Sequence, residues 1–327
     1  MIVDIHTHAM PKAYLDFIRA NPGKLNASIQ EINGVERYCP GNHHFPLFKT
    51  YYDVEARLAA MDERKIDVDV LSVVPFVFLY DQPADIMIET TKILNDGLAE
   101  MAALAPDRFR AIATVPMQDV DAACKELRRA VEKHGFRGVE ICTTVNGKYY
   151  DEPEFFPFFQ LCQELDLFVL FHPNQPKYEQ ITKYYLSNYI GNPMDTTVSA
   201  ARIVFGGVLK KLPGLKLIFV HGGGMIPYQH SRFGHGHAQR QEGREFIGDD
   251  DPGKYFDMLY FDIITHDSLA LEFLIKKYGA EKILLGTDYP FDMQDYDPVG
   301  RVKSVANVSE EDKKNIMGLN ALNQFYK

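Results

Sequence analysis

The chain lacks several features that would assign it to a specialised class of protein. Its 327 residues include no tryptophan and only four cysteines, none of them in a C-x-x-C pair. Because four scattered cysteines cannot build a disulfide framework, we expect a reducing compartment, and the predicted location is cytoplasmic. No apolar run approaches the roughly 18 residues of a membrane span, and no signal peptide is expected at the start of the chain.

Positively charged residues are also fewer than negatively charged ones. Lysine and arginine number 35 against 45 aspartates and glutamates, which gives a formal net charge of −10. This balance provides no general attraction to nucleic acid or to anionic lipid, so the predicted partner is a small molecule. An anionic substrate would have to be met by a local cation or a metal. No phosphate-binding or dinucleotide fingerprint is present, and no organic cofactor is predicted.

Short apolar runs alternate with longer helix-like segments along the chain. The runs are rich in Val, Ile, Leu and Phe, which is typical of parallel strands buried on both faces. The eight predicted strands are Ile2–His6, Val68–Val74, Ala111–Val115, Gly138–Cys142, Leu167–Phe171, Leu215–Val220, Leu259–Asp262 and Lys282–Gly286. Eight such units predict an α/β fold of the (β/α)₈ TIM barrel type. An open doubly wound sheet is the alternative, but no glycine-rich turn follows the first strand.

A single domain spanning residues 1–327 is predicted, with loop insertions near 9–52 and 222–257. Both insertions follow predicted strands, so in a barrel they would lie over the C-terminal face, where active sites are found. The second insertion carries an H-x-H motif, His235 and His237. No apolar strand precedes that motif, and it is predicted to be part of a glycine-rich loop.

Five residues that can bind a metal or transfer a proton stand at the ends of predicted strands. His6 and His8 are two residues apart, so both side chains can point toward the barrel axis. His172, His221 and Asp288 end three other strands. A single strand-end histidine is more often a buried polar residue than a ligand. The five together predict a shared centre for Zn²⁺ or a similar divalent ion.

Two further features at the strand ends have open interpretations. Asp262 ends the seventh predicted strand, where it could orient a metal ligand or cap its own loop. The run Gly222–Gly224 could bind a phosphate, but a sharp backbone turn close to a ligand is the favoured interpretation.

The motifs at these positions resemble those of a known family. They are DIHTH (4–8), FHP (171–173), HGGG (221–224) and GTDYPF (286–291). Together they resemble the amidohydrolase superfamily, and within it the branch that contains 2-amino-3-carboxymuconate-6-semialdehyde decarboxylase. The resemblance covers nearly the whole chain and implies a distorted (β/α)₈ barrel that holds one metal ion, usually zinc.

The resemblance also implies roles for individual residues. The matching metal ligands are His6, His8, His172 and Asp288. His221 matches the general base that acts on a metal-bound water, and Asp288 is assigned to catalysis as well. Zn²⁺ is the expected ion, although Mn²⁺ or Co²⁺ would also suit these donors. Related ortho-hydroxybenzoate decarboxylases usually open with Glu-x-His, so the pair of histidines here favours the semialdehyde decarboxylases.

One position departs from the family pattern. The semialdehyde decarboxylases hold a substrate carboxylate with an Arg that aligns near Phe48, where Lys49 is the nearest cation. A second family Arg, donated across a dimer interface, matches Arg240, so a homodimer is predicted. Without the first Arg a carboxylate loses its bidentate clamp, and the substrate is expected to carry one fewer carboxylate or to be an aromatic acid. The predicted substrate-binding residues are Arg240, Phe291, Asn174 and Tyr185.

These features predict a metal-dependent decarboxylase, a C–C lyase without organic cofactor, that acts on a small unsaturated or aromatic carboxylic acid. The alternative is a metal-dependent hydrolase or hydratase on the same scaffold, which would attack an ester, a lactone, an amide or a C–C bond. A non-catalytic binding protein is disfavoured because the ligand set and the base are all present. Release of CO₂ distinguishes the first two possibilities.

Overall fold

The computed structural model describes residues 1–174 and 178–326. Parallel strands alternate with helices along the chain, as expected for the barrel. The strands are β1 (Val3–Ala9), β2 (Ala27–Ile32), β3 (Val35–Pro40), β4 (Phe45–Pro46), β5 (Val68–Val73), β6 (Phe109–Ala111), β7 (Gly138–Cys142), β8 (Phe168–His172), β9 (Lys216–Phe219), β10 (Tyr260–Asp262) and β11 (Ile283–Leu284).

Eight of these strands surround a common axis. Strands β1, β5 and β6 form one parallel sheet, and β7 to β11 form a second in chain order. A parallel bridge between Ala113 and Val139 joins the two sheets on one side, and a bridge between Thr7 and Tyr289 joins them on the other. The strand order is therefore that of the predicted (β/α)₈ barrel.

Burial of the strands follows from their apolar sequences. Every residue of β1, β5, β7 and β8 is buried. Side chains near the starts of the strands, such as Val3, Val68 and Phe168, pack together inside the barrel. Phe325 of the last helix closes this end, with its ring centroid 4.7 Å from that of Phe168. The functional groups are thus left to the opposite, C-terminal end of the strands.

Helices cover the outside of the barrel. They are α1 (Lys12–Ala20), α2 (Val54–Arg64), α3 (Ala84–Leu104), α4 (Val120–His134), α5 (Phe156–Glu164), α6 (Asn192–Phe205), α7 (Val208–Lys211), α8 (Ile226–Gln239), α9 (Gly253–Phe256), α10 (Ser268–Tyr278), α11 (Pro298–Ser304), α12 (Glu310–Lys314) and α13 (Asn320–Phe325). Aspartates begin several of them: the side chains of Asp53, Asp119 and Asp267 accept a backbone N–H from the first turn. None of the helices in the described residues is both long and apolar enough to cross a membrane.

Both segments predicted as loop insertions contain regular structure. The first holds α1 and a small antiparallel sheet of β2, β3 and β4. The second holds α8 and α9, and the prediction that His235 and His237 lie in a loop is wrong, because both belong to α8. Glycine costs a helix roughly 1 kcal/mol per residue. Here the ring of Phe233 stacks on Phe256, with centroids 4.9 Å apart, so tertiary packing supports a helix that its glycines disfavour.

Candidate metal centre

Three histidines and one aspartate converge at the C-terminal end of the barrel. His6 and His8 point inward from β1, His172 is the last residue of β8, and Asp288 follows β11. Asp288 Oδ1 lies 3.0 Å from His8 Nε2, 3.3 Å from His6 Nε2 and 3.5 Å from His172 Nε2. One donor atom from each of the four residues falls within 4.8 Å of the others, and all four residues are buried.

Backbone pairing between β1 and the segment after β11 sets this geometry. The His8 N–H donates to the carbonyl of Tyr289 at 2.8 Å, and the Asp288 N–H donates to the carbonyl of His6 at 2.9 Å. Asp288 has a left-handed φ of +65°, which turns its carboxylate toward the axis. The two histidines and the carboxylate are therefore positioned by the same strand pairing that closes the barrel.

Each of the three clustered histidines has an oxygen acceptor at the ring nitrogen that faces away from the centre. The Nδ1 atoms of His6, His8 and His172 lie 2.8, 2.7 and 2.6 Å from Asp262 Oδ2, the Val73 carbonyl and the Pro173 carbonyl. Because these acceptors cannot donate, each Nδ1 carries the proton, and a neutral ring then presents the lone pair of Nε2 to the centre.

The donor set fits a divalent cation. His6 Nε2 and His8 Nε2 are only 3.1 Å apart, a distance at which either a proton or a metal cation must lie between the two lone pairs. His172 Nε2 is buried and makes no hydrogen bond with any described residue. Three imidazole nitrogens and one carboxylate oxygen are typical ligands of Zn²⁺ and of other first-row divalent ions.

Burial and hydrogen bonding shift the pKa values of these groups. Burial lowers the pKa of His172 to about 3 and also lowers the pKa of His8. Burial would raise the pKa of Asp288, but the close ring nitrogens of His172, His221, His6 and His8 outweigh this and hold the pKa well below its usual value. For His6, burial is outweighed by hydrogen bonds to Asp262 and Asp288, which raise the pKa to about 10. At neutral pH an ionised Asp288 therefore faces neutral rings of His8 and His172 and a protonated ring of His6, whose Nε2 proton would be released when a metal binds.

His221 stands beside the centre but faces the open side. Its Nε2 lies 3.6 Å from Asp288 Oδ2, and its ring centroid is 5.2 Å from that of His172. Its side chain is 15% exposed, whereas that of His6 is fully buried. Its Nδ1 makes no hydrogen bond within the described part of the chain. His221 is thus placed to exchange a proton with a molecule held at the centre.

Two cavities lie over this end of the barrel. One of about 670 Å³ is lined by His221 and Asp288 and by a largely apolar wall. That wall includes Tyr189, Tyr228, Ile264, Leu269 and Phe273. The other cavity, of about 810 Å³, is lined mainly by uncharged polar and aromatic residues, among them Asn174. Among the described residues, no lysine or arginine lines either cavity.

Of the predicted substrate-binding residues, Phe291 lies beside the centre, whereas Arg240 lines neither cavity. The ring centroid of Phe291 lies 4.9 Å from that of His8, beside the centre. The hydroxyl of Tyr185 donates to Asp292 Oδ1 at 3.4 Å. Arg240 stands apart from both cavities: its side chain is 72% exposed and donates to Glu242 Oε1 at 2.6 Å.

Two buried residues beside the centre were not predicted. Glu140, in the middle of β7, has its Oε1 3.8 Å from His8 Nδ1, and burial raises its pKa to about 8. Arg57 of α2 donates to the carbonyl of His8 at 2.6 Å and to Asp69 at 3.0 Å, which braces β1 from outside. A lone acid inside an apolar strand was the available signal for Glu140. Nothing in the helical pattern distinguishes Arg57 from a surface arginine.

Comparison with known families agrees with this geometry. Residues 3–325 match the family model described as amidohydrolase, so the chain belongs to the amidohydrolase family, as predicted. It is 30% identical over 335 residues to the 2-amino-3-carboxymuconate-6-semialdehyde decarboxylase of Dictyostelium discoideum, covering 98% of this chain and 90% of that protein. It is 29% identical to the gamma-resorcylate decarboxylase of Rhodococcus jostii, with 90% and 94% covered. The predicted branch of the superfamily is confirmed.

Solved structures show the same fold. A dihydroxybenzoic acid decarboxylase from Polaromonas, with bound manganese and the inhibitor 2-nitroresorcinol, superposes with a TM-score of 0.80 at 26% identity, covering 99% of this chain and 96% of that one. The 5-carboxyvanillate decarboxylase of Sphingomonas paucimobilis gives a TM-score of 0.83 at 22% identity, covering 99% and 98%. The predicted (β/α)₈ fold is confirmed.

Proposed function

We propose that this protein is a metal-dependent decarboxylase that removes CO₂ from a small unsaturated or aromatic carboxylic acid without an organic cofactor. The observation that carries the proposal is the buried cluster of four donor atoms within 4.8 Å, with His221 beside it on the cavity side. The decarboxylases among the relatives support the same reaction class.

His6, His8, His172 and Asp288 would hold one divalent ion. Zn²⁺ suits the donors, and the manganese in the Polaromonas relative supports Mn²⁺ as an alternative. When bound, the ion supplies a Lewis acid that polarises a substrate oxygen and stabilises negative charge as the carboxylate departs.

The chain's own residues manage the proton and exclude water. Loss of CO₂ leaves an electron pair on carbon, and a proton must replace the departing group. His221 holds or moves that proton at Nε2, because this atom faces both the centre and the cavity. The buried Ile264 and Leu274 give the cavity an apolar wall that limits water around the reacting carbon and accommodates a flat unsaturated skeleton.

The substrate carboxylate needs a positive charge that the described cavity linings of this chain do not supply. We therefore retain the predicted homodimer, in which the partner subunit would deliver its Arg240 to the site. Exposed apolar side chains at the cavity wall, Tyr189, Tyr228, Leu269 and Phe273, are suited to contact a second subunit. The scattered free cysteines support a cytoplasmic location.

A CO₂-release assay on protein of known metal content tests the proposal. The purified protein should contain about one Zn²⁺ or Mn²⁺ per chain, and chelation should abolish CO₂ release from at least one unsaturated or aromatic acid in a screened panel. Mass spectrometry of the products separates the alternatives. A product formed by addition of water, without CO₂, would establish a hydrolase or hydratase instead.

A further inference from the structure

A single buried carboxylate contacts both the proposed metal centre and the turn that carries the proposed base. Asp262, the last residue of β10, is fully buried. Its Oδ2 lies 2.8 Å from His6 Nδ1. Its Oδ1 accepts the backbone N–H of Gly222 at 2.8 Å and that of Ile264 at 3.1 Å.

We propose that Asp262 is a positioning residue that orients His6 for metal binding and, through its other oxygen, fixes the turn that places His221. The proposal rests on the proposed function, because it assigns the centre to a metal and His221 to proton transfer. The sequence left two interpretations open for Asp262: it could orient a metal ligand or cap its own loop. The proposal assigns both tasks to this one side chain.

The first oxygen determines which nitrogen of His6 faces the centre. An ionised carboxylate only accepts hydrogen bonds, so His6 must keep its proton on Nδ1. The opposite tautomer would place a hydrogen on Nε2, which lies 3.1 Å from His8 Nε2 and 3.3 Å from Asp288 Oδ1. That hydrogen would stand where the ion binds, so the bond to Asp262 favours metal binding through Nε2.

The second oxygen acts on a turn whose backbone is unusual. His221 has a φ of +57°, and the three glycines that follow it also have positive φ values. A left-handed histidine is disfavoured by itself and persists only where its surroundings hold it. The N–H of Gly222 comes immediately after His221, so its bond to Asp262 fixes the turn that aims the imidazole at Asp288.

Asp262→Asn tests the contact of each carboxylate oxygen separately. The amide oxygen of Asn can still accept from Gly222 and Ile264, while its NH₂ group is directed at His6 Nδ1, where it opposes the Nδ1–H tautomer. Chelator competition should show a 10- to 100-fold loss of affinity for Zn²⁺. Turnover should be largely restored at saturating Zn²⁺, because the turn is still held. Asp262→Ala removes both contacts, so its kcat should stay about 10-fold or more below wild type even at saturating metal.

A control and a second measurement keep the test decisive. Asp195→Asn alters another buried carboxylate, bonded to Thr143 and Tyr149, and should leave Zn²⁺ affinity unchanged. If Asp262→Asn does not fold, ¹⁵N spectra of the zinc-loaded wild type decide the first point, since His6 must show a protected Nδ1–H. Unchanged Zn²⁺ affinity in Asp262→Asn, or His6 coordinated through Nδ1, overturns the proposal. A wild type that binds Zn²⁺ in this way but releases no CO₂ from any acid overturns the proposed function alone.

Discussion

At the residue scale, exposure separates His221 from the four proposed ligands. The imidazole faces the cavity, while His6, His8, His172 and Asp288 are nearly enclosed. A group that exchanges protons with substrate must reach the cavity, whereas a ligand gains from exclusion of water. The two kinds of residue should therefore respond differently to truncation.

His221→Ala should retain most of its metal and lose about 100-fold or more in kcat, the usual cost of a missing general acid or base. Elemental analysis and steady-state kinetics measure the two quantities. His134→Ala, which truncates a histidine that contacts Asp96 and lines neither cavity, is the control and should change kcat little. An active His221→Ala enzyme would refute the role, and a metal-free one would make His221 a ligand.

His172→Ala should empty the centre. The substitution removes one of three imidazole donors, and the remaining two histidines and one carboxylate should bind the ion much more weakly. We expect elemental analysis to show little bound metal and the CO₂-release assay to show little turnover. Full metal occupancy combined with ordinary turnover in this variant would contradict the ligand assignment.

The site residues that could be predicted from the sequence are those whose residue type and whose position at a strand end both indicate metal binding or proton transfer. His6, His8, His172, His221 and Asp288 end apolar runs, so a barrel model alone brings them to one face. Glu140 and Arg57 also lie beside the centre, but their placement depends on packing between elements that are distant in sequence. Their roles became visible only in the folded structure.

At the element scale, an ion-pair network holds α3 against α4. Asp96 of α3 accepts from Arg129 at 2.7 Å, from Lys133 at 3.0 Å and from His134 at 2.6 Å. Burial would raise the pKa of Asp96, but hydrogen bonds to His134, Arg129 and Lys133 outweigh it and lower the pKa to about 2. The carboxylate therefore stabilises the folded state while it is ionised.

Asp96→Asn should lower the free energy of unfolding at pH 7 by at most about 1 kcal/mol, because the carboxylate is partly exposed and solvent screens it. A folded pKa below the unfolded value of about 3.9 means that the contribution is present above pH 4 and disappears as the pH falls toward 2. Urea unfolding of both proteins across this range measures it. Asp107→Asn, at an exposed carboxylate, is the control; a difference that persists unchanged at pH 2 would contradict the assignment.

Local signals explain which elements the sequence predicts well. Helix α4, residues 120–134, carries clear local signals at both ends, since Asp119 caps its start and Gly135 its end. The strand predicted at 111–115 begins two residues earlier in the structure, at Phe109, and its pairing extends to Ala113, because apolar residues show burial but not register. The hairpin of β2 and β3 turns at Asn33 and Gly34, both with positive φ. That dipeptide is a hairpin signal, but the polar strands around it concealed the sheet.

At the scale of the whole molecule, the count of eight βα units predicted the barrel. The positive charge that an anionic substrate would need does not come from the described cavity linings of one chain. The net charge is −10, and those linings contain no lysine or arginine. An anionic substrate would meet a negative field except at the metal. In the proposed homodimer the exposed Arg240, which pairs with the equally exposed Glu242, would be available to the partner subunit.

Arg240→Ala should lower kcat/KM by about 10- to 100-fold, because a charge-assisted contact to a carboxylate is worth roughly 1.5 to 3 kcal/mol. The metal content should not change, since Arg240 lies apart from the centre. Sedimentation should show a dimer for both the wild type and the variant. An active monomer would contradict the shared site, as would a variant with unchanged kcat/KM.

Subunit mixing decides whether Arg240 acts across the interface. In a heterodimer of an Arg240→Ala chain and a His172→Ala chain, the first chain keeps its ligands and receives Arg240 from its partner, so one complete site forms. Activity should therefore reappear on mixing under conditions of subunit exchange. A mixture of His172→Ala and His221→Ala chains is the matched control: both defects lie within their own sites, so no complete site can form and no activity should return. If verified heterodimers of the first pair recover no more than this control, Arg240 does not act on the neighbouring site, and the positive charge for the substrate must come from the metal alone.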